Sequence, residues 1–253
     1  MYQISELLFI FFPLLCIGFI MNRLWYLLTK CDFEDARKKR VFATLTIVVT
    51  LWVVLISSLS FTDFFSDFST FPPRLGPVLL LPLLAVLILT FTGRLDAILK
   101  LIPPPWLIYM QTFRVGVELM IWLLFIQNLL PIQMTFEGRN WDILVGLTAP
   151  LFGYYCFVKK RWSKAVAIIW NIAGLVLLAN IVTIALLSMP TPARVFMNEP
   201  ANTIVAEFPY IWLPGILVAI AYIFHILSLR QLTKNLYTKA SSNIQSENSA
   251  DYL

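Results

Sequence analysis

Apolar residues gather along this chain into seven long stretches, at about 5–28, 41–61, 76–92, 105–130, 142–158, 165–189 and 209–229. Charged residues concentrate in the connections between them. A helix needs roughly 20 mostly apolar residues to cross the hydrocarbon core, which is about 30 Å thick. The pattern therefore predicts an all-α, polytopic integral membrane bundle of about seven transmembrane helices, forming one domain over 1–237. The remaining 238–253 is polar and rich in Ser and Asn, the composition of a disordered tail. The third and fifth stretches are the shortest; Pro82 interrupts one, Pro150 and Gly153 the other. Carbonyls freed by such breaks need partners inside a membrane, so both helices are expected within the bundle.

Composition agrees with this reading. Of 253 residues 59% are hydrophobic and 13% charged, where a soluble domain carries about twice that charged fraction. The net charge of +5 acquires its meaning from where the basic residues lie. Lys30, Arg37, Lys38, Lys39, Arg40, Arg94, Lys100, Lys159, Lys160, Arg161, Lys164, Arg230, Lys234 and Lys239 fall in alternate connections and the tail; the opposite side has Arg74, Arg139 and Arg194. Basic connections stay in the cytoplasm, so the N-terminus is expected outside and the C-terminus inside. The excess is then a topology signal, and no nucleic-acid partner is implied. The outer side carries Glu6, Asp63, Asp67, Glu137, Asp142, Glu199 and Glu207 against its three arginines and is net acidic. The chain begins without a basic segment ahead of the first apolar run, which predicts a retained helix. Cys16, Cys31 and Cys156 lie away from the outer loops, so no disulfide framework is expected. No Asn-x-Ser/Thr sequon occurs, which favours a bacterial inner membrane over a secretory one.

The candidate chemistry lies in the fourth stretch. Gln111, Arg114, Glu118 and Trp122 follow one another at helical spacing and share a narrow face. A charge at mid-membrane costs about 2.5–3.5 kcal/mol even on insertion scales, so such residues face the interior or water. Arg114 and Glu118 stand one turn apart, within pairing reach; a buried structural pair and a solute or proton site are both open readings. Asn171 and Asn180 in the sixth stretch are half a turn out of phase, so one pocket cannot take both. Asn180, nearer the outer side, joins Gln111, Arg114 and Glu118 in the expected intramembrane site. Interhelical hydrogen bonding is the expected role for at least one asparagine.

The outer loops at 135–142 and 190–203 supply an expected cap: Glu137, Arg139, Asn140, Asp142, Arg194, Asn198, Glu199 and Asn202. Asp142 is also placed to cap the fifth helix. The one histidine, His225, reads as a hydrogen-bonded or interfacial residue, since one imidazole makes no metal site. No metal or cofactor is expected: nucleotide-binding glycine motifs and hydrolase or zinc-protease motifs are missing, and 209–229 has no lysine to hold a Schiff-base chromophore. The leading expectation is recognition or transport of a small polar or charged solute entering from outside. In that reading Arg114 anchors an anionic group and Glu118 acts as counter-charge or proton carrier. The alternatives are an intramembrane enzyme acting on a lipid or isoprenoid, and a non-catalytic assembly or sensory subunit with a protein partner on the outer side.

Overall fold

The computed structural model describes residues 2–31 and 33–237, and among these it is helical with no strand. The expected disordered tail lies outside the described residues. Helices α1 (Tyr2–Thr29) and α2 (Asp35–Phe61) are followed by α3 (Gly76–Phe91), α4 (Pro104–Ile126) and α5 (Ile143–Val158), then α6 (Lys164–Leu187) and α7 (Leu213–Thr233). Five of them, α1, α2, α4, α6 and α7, are long and apolar enough to cross a membrane; α3 and α5 are apolar but shorter. Their outward surfaces are strongly apolar, with Leu15, Leu51, Phe91, Ile169 and Val176 all well exposed. An apolar surface of that extent belongs in contact with lipid.

The chain's own chemistry sets where the helices stop. Asn128 and Asn235 adopt left-handed backbone (φ 56° and 50°) just past α4 and α7. In each case the next amide reaches back over the last turn, Leu129 N–H to the Leu124 carbonyl (2.9 Å) and Leu236 N–H to that of Gln231 (3.0 Å). This satisfies carbonyls the helix would leave orphaned. It also ends α4 at Ile126, before the apolar pattern does. Gly93 (φ 70°) closes α3 in a similar conformation. Within α4 the backbone tightens to a 3₁₀ turn at Met110–Thr112, α5 ends in a π turn at Tyr154–Val158, and α7 opens with one at Leu213–Leu217. Such irregular turns are places where one helix face is re-aimed.

The interior is built around α4 and α7. α5 lies close to α4: a side chain at Gly146 would meet Val115, and one at Gly153 would meet the Tyr109 ring. Small residues let membrane helices approach to this distance. α6 packs along α7. The third stretch lies at the edge of the bundle, not within it as its proline leads one to expect. α3 buries Val78, Val86 and Thr90 against α7 but leaves Leu80, Leu81, Leu84, Ile88 and Phe91 exposed, so it is peripheral. Pro82 lies inside α3 without ending it, and its missing donor needs no deep burial.

Candidate functional site

A continuous chain of buried polar side chains links α4, α6, α7 and the loop that leads into α5. Arg114 is at its centre, 1% exposed. Its Nε donates to Asp142 Oδ2 (2.6 Å) and its NH2 to Asp142 Oδ1, a bidentate ion pair. Its NH1 lies 2.9 Å from His225 Nε2. A guanidinium has no acceptor, so His225 Nε2 must accept and the ring proton must sit on Nδ1. That nitrogen is 2.9 Å from Asn171 Oδ1, which accepts it. The Asn171 amide nitrogen then donates to the Ala167 carbonyl (2.8 Å) and to Ser228 Oγ (3.1 Å). The geometry thus fixes His225 as a neutral, Nδ1-protonated imidazole.

On the other side of Arg114 the chain continues through the loop. Asp142 N–H donates to Asn140 Oδ1 (3.0 Å), while Asn140 Nδ2 donates to Glu118 Oε2 (2.6 Å) and to the Met134 carbonyl (3.0 Å). Glu118 is 1% exposed and Asn140 is fully buried. Arg114, Glu118 and Asp142 form the polar part of the wall of a cavity of about 70 Å³. Its other walls are apolar, with Leu79 of α3, Leu178 and Ile181 of α6 and Leu217 of α7 among them. Met134, Met189 and Val205, from segments between helices, line it as well.

The structure supplies the partners that spacing leaves open. Arg114 forms its ion pair with Asp142 rather than with Glu118. Asp142 stands at the N-cap of α5 but makes no side-chain cap bond, because both carboxylate oxygens serve Arg114. Gln111 is fully buried but braces α4 on α7, donating to the Ala221 carbonyl (3.0 Å). Asn180 is half-buried and donates to the Arg139 carbonyl (2.9 Å), so it stays apart from this network. The half-turn offset places Asn171 in the network instead. Trp122 donates to Glu137 Oε1 (2.8 Å) on the exposed side of the loop.

The outer loops divide into two groups. Asn140 and Asp142 join the buried chain. Arg139, Glu137, Asn198 and Glu199 are exposed. Arg194 holds its own loop in shape, donating to the carbonyls of Phe196 (2.9 Å) and Asn198 (2.9 Å) and to Glu199 Oε1 (3.0 Å). Asn202 is fully buried and donates to the Ala185 carbonyl (3.0 Å). Gln133 Nε2 to Ser188 Oγ (3.0 Å) and Arg139 over the Phe196 ring join the two loops to each other. Spacing alone assigns no such role to His225, Asn171 or Gly174. The available signal was Gly174, three residues after Asn171 on the same face, where a side chain would strike the His225 ring.

No family model matches the chain, and neither a curated protein nor a solved structure matches it significantly.

Proposed function

We propose that this chain is a seven-span inner-membrane protein, N-terminus outside and C-terminus in the cytoplasm, which recognises or transports a small solute in the cavity beside Glu118. The alternation of basic connections supports the orientation. One observation carries the functional reading. Glu118 is buried at the wall of a cavity, one oxygen is fastened to the Asn140 amide, and no cation among the described residues forms an ion pair with it. Asp142, by contrast, has both of its oxygens engaged by Arg114. Arg114 passes from anion anchor to scaffold in this reading, since Asp142 and His225 take three of its five N–H donors.

The test is thermal unfolding of the purified full chain with cationic, neutral and anionic small solutes. The expected result is a concentration-dependent rise in Tm for the wild type with one class, missing in Glu118→Gln. Glutamine still accepts the Asn140 bond and removes a buried charge, so that variant should fold at least as stably as the wild type. If every solute leaves the wild type unmoved, the cavity is packing space and the reading fails.

A further inference from the structure

We infer that the solute taken up beside Glu118 is a small organic cation, a short alkylammonium with its charged head on the carboxylate and its carbons on the apolar walls. The inference rests on the reading of the cavity as a solute site and deepens it. Arg114 and Asp142 cancel as a bidentate pair. His225 is neutral, because a donor-only guanidinium faces its Nε2. Glu118 remains, and among the described residues its hydrogen-bond partner is the neutral amide of Asn140. Ionised, the cluster holds one negative charge in excess in the membrane interior, a costly arrangement until a proton or a cationic ligand meets it.

The same count rejects an anion, which would add to the surplus negative charge, and three of the five N–H donors of Arg114 are already engaged by Asp142 and His225. A bare metal ion is a poor fit too. Hard cations take six or more oxygen ligands, while this wall offers two carboxylates among mostly apolar side chains, and the described residues hold no metal-binding cluster of three His, Cys, Asp or Glu. An ammonium group needs fewer oxygens and keeps its hydrocarbon on Leu178, Ile181 and Leu217. Size sets the chain length. The cavity of about 70 Å³ is roughly half of the 150 Å³ that takes up benzene, which suits an amine of very few carbons.

The experiment is calorimetric titration of the full chain in nanodiscs with ethylammonium, acetate, ethanol and sodium as separate arms at matched ionic strength. Ethylammonium should bind the wild type, and the other three should not. Glu118→Gln should weaken ethylammonium at least tenfold. Leu178→Trp, which fills the cavity and leaves the carboxylate in place, should abolish binding and guards against a failure of the first variant to fold. Glu118-dependent binding of acetate or ethanol would overturn the cation while leaving the solute site standing. Sodium binding as well as ethylammonium would overturn the organic part of the assignment. Ethylammonium binding unchanged in both variants, or no binding in any arm, would overturn the cation and the solute site together.

Discussion

Helices α2 and α7 are both apolar enough to span a bilayer, yet they occupy opposite environments. In the most apolar window of α2 6% of residues are buried; in that of α7 the share is 67%. The polar residues explain the contrast better than the apolar ones do. On α2, Thr46 bonds the carbonyl of Phe42 one turn back, which any lipid-facing helix permits. Its contact with the bundle runs through a few side-chain bonds, Trp52 to the Gly215 carbonyl and Ser60 to that of Ala206 among them. On α7, His225 and Ser228 bond α4 and α6, and Gln231 bonds the carbonyls of Leu99 and Ile102. Hydropathy finds a membrane helix; its polar groups decide whether it faces lipid or protein.

The largest break in that contrast should come from Asp142→Ala. It leaves the Arg114 guanidinium buried without its counter-ion, a change worth about 3–5 kcal/mol for a buried pair losing one member. Ser60→Ala on α2 removes one neutral hydrogen bond and should cost about 1 kcal/mol. Replacing Arg114 and Asp142 together by leucine should recover much of the first loss, because neither member of the pair is then left without the other. Denaturant unfolding in micelles reads all three. If Asp142→Ala matched Ser60→Ala, the buried pair would not be what sets the interior apart.

Two glycines sharpen the contrast at a smaller scale, with opposite signs expected. A side chain at Gly174 would run into the His225 imidazole, while one at Gly18, on the exposed side of α1, would meet nothing within 4 Å. Gly174→Ala should push His225 from Arg114 and destabilise by about 1–3 kcal/mol, the usual cost of overpacking. Gly18→Ala should be neutral or stabilise by about 0.5 kcal/mol, since glycine is the poorer helix former. Thermal melts of the two variants side by side check this. Equal shifts would mean that α6 yields around the imidazole.

Much of the fold was legible in the sequence because the bilayer imposes a length and a polarity that a linear pattern can display. All seven apolar stretches are helical, and the boundaries moved where local backbone chemistry intervened, as at Asn128 and at the π turn opening α7. The site was legible only in part. Spacing along one helix showed that Gln111, Arg114 and Glu118 point the same way, and each is buried. It could not show which helix faces them. The partners of Arg114, Asp142 and His225, lie 28 and 111 residues away along the chain. Asp142 also resembled an ordinary helix cap, because a carboxylate at a helix start suits that role as well as an ion pair. Periodicity describes one helix at a time, and this network depends on four segments meeting.

The smallest expected effect lies where α7 leaves the bundle, and it separates buried from exposed ion pairs. Arg230 meets Asp96 in the same bidentate form that Arg114 makes with Asp142, Nε to Oδ1 at 2.9 Å and NH2 to Oδ2 at 2.7 Å. Here both groups keep contact with solvent. Bonds from Arg230 hold the Asp96 carboxyl below its usual 3.8, against a smaller opposing effect of desolvation. A carboxyl whose folded pKa is depressed stabilises the fold above its unfolded pKa, and that contribution disappears as pH falls through the folded value. Asp96→Asn should therefore cost about 0.2–1 kcal/mol at neutral pH, after allowance for solvent screening. The gap from the wild type should narrow with added salt and close as pH drops below 3.8. Thermal melts from neutral pH down to about 3 follow it. A gap constant through acid and salt would mean that Asp96 acts through the turn it forms beside Gly93 rather than through charge. The two bidentate pairs would then differ in kind, and burial alone would not account for the contrast.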